Sequence, residues 1–129
     1  MMPESQQYRE ELPDDCPPAD AYAPLNGLRV FRLVASFPPG EDDFRSYRSL
    51  NPASVVGVPE CQTRGRSVYT NADDAEKRRK LPKLKNLMTC AVSLNPSSGK
   101  LKQTGQPSHH TWWPSAHFRV LENCERIDT

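Results

Sequence analysis

Both tryptophans of the chain, with two of its three histidines, stand together in Ser108-His109-His110-Thr111-Trp112-Trp113-Pro114. Six cations crowd into Lys77, Arg78, Arg79, Lys80, Lys83 and Lys85. A third constellation sets Arg32, inside an apolar run, beside Arg66-Ser67-Val68-Tyr69-Thr70 and the Asn71 that follows. Each residue type has a definite use. A guanidinium grips phosphate or carboxylate with two parallel hydrogen bonds. An aromatic face covers a planar base, and clustered Lys and Arg neutralise phosphates, while Trp112-Trp113-Pro114 reads as a structural anchor or a partner-binding surface. Adjacent histidines on a strand point to opposite faces, so His109 and His110 do not share one metal, and the spacing requires no third ligand from His117 or Cys124.

Strands and helices must position these groups. Leu28–Ser36 is rich in Val, Leu and Phe and is apolar on both alternating faces, which predicts a central strand with Arg32 between Val30 and Val34. An arginine at such a place needs a partner or a ligand. Pro38-Pro39-Gly40 ends the strand, and Glu41–Leu50 carries Phe44, Tyr47 and Leu50 at helical spacing. Residues 52–65 have no clear period and read as a loop, and 66–70 as a short strand. Asn71 and Asp74 form a capping-box-like pair for a helix from Ala72 to Lys80, stopped by Pro82. Leu87–Leu94, Lys100–Thr104 as a hairpin return, and His117–Leu121 complete a run of strands. This order predicts a single α+β domain over 28–129, a small mixed or antiparallel sheet with two short helices.

With 129 residues, 13 of them proline, and only 36% hydrophobic residues, the chain has room for one modest core and an extended remainder. The remainder is residues 1–27, an acidic arm with four prolines between Leu12 and Pro24. Six carboxylates against Arg9 alone give residues 1–24 a charge of −5, leaving +6 on the rest of a chain of net +1. The arm is expected to dangle as a hook for a partner or to seat on the basic stretch. No apolar run is long enough to span a bilayer, and no secretory leader is visible, so a cytoplasmic setting is expected with Cys16, Cys61, Cys90 and Cys124 reduced. Cys90 reads as a small core residue.

The constellation of Arg32 with residues 65–71 resembles the ADP-ribosyltransferase-like fold, which includes small bacterial toxins that degrade NAD. That resemblance implies that Arg32 holds a phosphate or ribose, that Tyr69 stacks on the nicotinamide with Thr70 bonding nearby, and that the catalytic glutamate of a late strand falls to Glu122 or Glu125, with Glu122 the candidate. His109-x-Thr111 is similar to half of the paired motif of two-histidine phosphoesterases. Arg29–Val34, Asp42–Leu50, Glu60–Ala75 and Ser108–Pro114 also look like segments of an uncharacterised family of small bacterial proteins. The residues hold no complete catalytic set. The expected function is therefore a cofactor-free bacterial accessory module that engages a protein partner through the arm and the surface of His109, His110, Trp112 and Trp113. The alternatives are an NAD-binding or NAD-consuming domain and, third, a nucleic-acid-binding module using the basic stretch.

Overall fold

The computed structural model describes residues 8–50 and 60–127. Six strands form one antiparallel sheet: β1 Leu28–Val34, β2 Arg66–Tyr69, β3 Met88–Leu94, β4 Gly99–Gln103, β5 His109–Pro114 and β6 Cys124–Arg126, in the order β4-β5-β2-β1-β3-β6. The expected α+β class holds, and β1 is central, paired along its whole length with β3. Its pairing with β2 is confined to Phe31 opposite Tyr69.

Alternation along the strands divides the buried side chains between two faces. Val30, Val34, Val68, Cys90, Val92, Leu94, Leu101 and Trp112 form the main core with Phe44, Phe118 and Val120 from the connections. Cys90 is fully buried there, as its apolar context predicts. Phe31 and Ala91 face the other way, under Ala75 of helix α3, Ala72–Arg79. Asn71 caps this helix by accepting from the amides of Asp73 and Asp74 at 2.8 and 3.3 Å. Asp74 does not complete a capping box: its carboxylate accepts from Ser108 Oγ, tying the helix to the β5 end. Glu76 accepts from Arg79 and from Thr89 of β3, and these bonds, Arg79's foremost, hold its carboxyl below the usual carboxylate range.

Several expectations are corrected. The helix expected over 41–50 is broken into a 3₁₀ turn, Glu41–Phe44, and a single turn α1, Tyr47–Leu50. The break falls where the carbonyls of residues 43–45 are taken by arginine side chains. The loop expected at 52–65 contains helix α2, Glu60–Thr63, while residues 51–59 lie outside the described set. β4 pairs with β5, not back onto β3. The strand expected at His117–Leu121 is a bend and a 3₁₀ turn, Val120–Asn123, with the closing strand three residues later. Phe118 and Val120 dip into the core there, giving an alternation that imitates a strand.

The arm is docked over its described part. Tyr22 exchanges both backbone hydrogen bonds with Leu101 at 2.8 Å, covering the outer edge of β4, and Arg9 N donates to Pro114 O at 3.0 Å. Asp20 pairs with Lys102, and Glu10 bridges Arg64 and Arg66. None of these contacts involves the basic stretch, so the seat expected for the arm is elsewhere. Cys16 and Cys61 are joined in a disulfide across a sequence separation of 45, replacing the expected reduced state for these two cysteines. Even spacing along the chain concealed a pairing made in space.

Closing a loop of this length restricts the unfolded chain by about 4 kcal/mol. Reduction, or Cys16→Ser with Cys61→Ser, should lower the urea midpoint by a stability loss of that order, and an unchanged midpoint would mean that the arm's other contacts suffice. A second expectation concerns pH. A depressed carboxyl stabilises the fold above its ordinary range and loses that contribution as pH falls through the folded value. Glu76→Gln should therefore flatten the acid limb of the stability profile, measured by melting at pH 7 and at stepwise lower pH.

Candidate functional site

Arg32 and Arg66 project onto the core face of the sheet, an expensive place for charge unless every donor is used. Arg32 donates from Nε to Asp43 O at 2.8 Å, from Nη1 to Ser67 O at 2.7 Å and from Nη2 to Arg45 O at 3.4 Å. Arg66 donates from Nε to Phe44 O at 2.6 Å and from Nη1 to Arg64 O and Glu10 Oε1, both at 2.9 Å. Three consecutive carbonyls, of residues 43, 44 and 45, are thus held by two guanidinium groups. Burial, with Arg66 close by, pushes Arg32 down to about 10, still charged near neutral pH. Burial likewise lowers Arg66, and Glu10 opposes that shift.

Past Phe31 and Tyr69, β1 and β2 have no further paired residues, and Arg32 spans the gap to Ser67 O. A cleft of about 530 Å³ opens here. Arg32, Arg45 and Arg66 supply its charge, Gln62 and Ser67 its neutral polar groups, and Tyr47 and Leu50 an apolar rim exposed to 46% and 49%. Gly65 forms part of the wall, and a Cβ there would collide with Thr111 Cγ2, so the residue entering β2 is glycine for want of space. Arg45 is held to Ser49 by Nε and Nη2, each at 2.8 Å, and to Asp42 at 3.3 Å.

The residues expected to form an NAD site are not brought together. Arg32 is at the cleft on the core face. The Tyr69 ring is on the opposite face, edge-on to His109 at 5.3 Å and against the cluster under α3. Thr70 is turned to Ser108, its amide donating to that carbonyl at 2.9 Å. Glu122 is exposed on the turn before β6 and pairs with Arg119 at 3.0 Å.

Of the two readings of the Trp pair, anchor and partner-binding surface, burial leaves the anchor. Trp112 is fully buried and Trp113 is 2% exposed, with each indole N–H satisfied internally, by Ser98 O at 3.1 Å and Cys61 O at 2.8 Å. They are anchors: one holds the β4 turn to the core and the other holds α2, next to the disulfide. His109 places Nδ1 2.8 Å from Thr104 O and Nε2 3.0 Å from Ser67 Oγ, while His110 is buried on the other face with Nδ1 3.1 Å from Ser108 O. Arg45 and Glu10 carry no signal in the sequence pattern, and Arg66 stands in it without a role of its own. An arginine at the first position of a strand with Val68 on the same face was the available signal for Arg66.

Comparison with protein families, with curated proteins and with solved structures finds no match. The site's own geometry is that of a concave, largely apolar cleft with cations prearranged on the backbone.

If Arg32 is the strut that this geometry implies, Arg32→Met leaves several carbonyls without donors and should cost roughly 3 kcal/mol in urea denaturation. Arg32→Lys should recover only part of that, because an ammonium lacks the planar fork. A fully stable Arg32→Met would remove the strut.

Proposed function

We propose that the protein is a non-catalytic binding module whose cleft takes a carboxylate-bearing, partly apolar segment of a protein partner. The observation that carries this reading is the convergence of Arg32, Arg45 and Arg66 on one cleft whose rim exposes Tyr47 and Leu50. The arm supplies an internal precedent. Glu10, 16% exposed, already sits on Arg66 at 2.9 Å and on neighbouring Arg64 at 3.3 Å, so one of the three cleft arginines already accepts a carboxylate. Guanidinium groups fixed by backbone carbonyls lose little freedom on binding, which favours recognition. The Cys16–Cys61 bond suits an oxidising setting better than the reducing cytoplasm expected from the sequence. The arm, on this reading, completes the body and its exposed acidic turn is not the hook.

Fluorescence polarisation with labelled octapeptides mixing Glu, Asp, Leu and Phe tests the proposal. Arg45→Glu and Leu50→Asp should each weaken the best peptide by about tenfold or more, a change of roughly 1.4 kcal/mol, without lowering the melting temperature. Peptide affinity indifferent to both substitutions would sink the reading. A parallel titration with NAD separates the alternative: saturable NAD binding lost in Arg45→Glu, or released nicotinamide on incubation, would put the dinucleotide in the cleft instead.

A further inference from the structure

The basic stretch takes no part in the cleft. Helix α3 ends at Arg79, and the chain passes through Lys80 and Leu81 into a 3₁₀ turn, Pro82–Leu84. Of the six cations, Arg79 is paired with Glu76 at 2.8 Å. Lys77, Arg78, Lys80, Lys83 and Lys85 have no ion pair among the described residues, and the arm's Glu10 and Asp20 are committed to Arg64, Arg66 and Lys102. The fold therefore leaves five cations within nine residues without an ion pair among the described residues, Lys80 being the one that Glu76 attracts at longer range.

These cations frame more than a charged face. Two adjoining clefts, of about 390 and 250 Å³, share Arg78 and Leu81 as walls. Leu81 is 44% exposed. The second cleft reaches Tyr69, whose ring is steadied edge-on by His109, and the amide of Gln106. Its one carboxylate, Asp74, accepts a hydrogen bond from Ser108 Oγ at 2.5 Å.

We propose that this surface binds single-stranded nucleic acid, its cations meeting phosphates while the cleft between Tyr69 and Leu81 seats a base. Aromatic and apolar floors beside a cationic track are how sequence-tolerant single-strand sites work, since every base has a face to stack. An acidic peptide would answer the charge but has no planar group for that cleft. A duplex is a poor fit, because α3 packs against β1, β2 and β3 and is not a helix standing clear of the sheet to enter a groove.

Anisotropy of fluorescein-labelled oligo(U) and oligo(dT) 15-mers tests this on the intact, disulfide-bonded chain. With five phosphate contacts, affinity should fall on the order of 100-fold between 50 and 200 mM salt. The combined variant Lys77→Glu, Arg78→Glu, Lys83→Glu should weaken binding by at least about tenfold at 50 mM, with melting temperature confirming its fold. Arg45→Glu, in the separate arginine cleft, should leave oligonucleotide affinity unchanged, so failure here is distinguishable from failure of the peptide reading. Absence of saturable binding at 50 mM, or binding indifferent to the triple substitution, overturns the proposal. So does a labelled oligo-glutamate peptide that binds as tightly with the same loss in the variant, which would assign the surface to an acidic protein.

Discussion

Two arginine side chains buried on the core face of a sheet set the conditions that the rest of this structure meets. A guanidinium cannot be left unsolvated among Val30, Val34 and Phe44. Arg32 and Arg66 are tolerable there because the chain brings them carbonyl oxygens, three of them from consecutive residues. The requirement runs both ways. Residues 43–45 close one short helical turn and lead toward the next, and neither turn is long enough to use those carbonyls internally, so the arginines satisfy the backbone as the backbone satisfies the arginines. The cleft is a consequence: side chains that hold the turn against the sheet also part β1 from β2 beyond one paired position.

The arm solves the remaining part of the same electrostatic problem. Two cations close together on one face repel, and carbonyl dipoles only partly offset this. Glu10 is the carboxylate that reaches Arg66, and it arrives from the far end of the sequence. Its placement needs the arm held down at several points. Tyr22 on the β4 edge, Arg9 on Pro114 and the disulfide to α2 provide them, each anchoring backbone that would otherwise fray. Covering β4 has a second effect, since an open edge strand is a template for pairing with another chain. Trp113 joins the two tasks: its indole holds the carbonyl of Cys61, so the arm's covalent anchor rests on the sheet itself.

Much of the framework was legible because local chemistry and tertiary structure agree. The β-branched run at β1, the Asn71 cap and the Pro82 stop mark elements that the fold keeps, and Arg32 between two valines marked a buried cation needing partners. What was not legible depends on contacts distant in sequence. Nothing near Cys16 announces Cys61, and nothing near Glu10 announces Arg66. The Trp112-Trp113 pair read equally as surface or anchor, because tryptophan serves both; burial decides it. Phe118 and Val120 show the opposite failure, in which alternation that looks like a strand belongs to a turn bending two side chains inward.

Charge segregation is the feature that ties these pieces to recognition. Had the acidic arm lain across residues 77–85, the molecule would be close to electrically uniform, and neither basic site would attract a ligand strongly. Buried arginines draw the arm's Glu10 to the opposite task, and Lys77, Arg78, Lys80, Lys83 and Lys85 keep no ion pair among the described residues. Solvation keeps such a surface stable at little cost, while a polyanion gains by releasing its counterions there. The cost of burying Arg66 therefore shapes a surface on another part of the fold: the carboxylate that the core demands is one that the basic face does not receive.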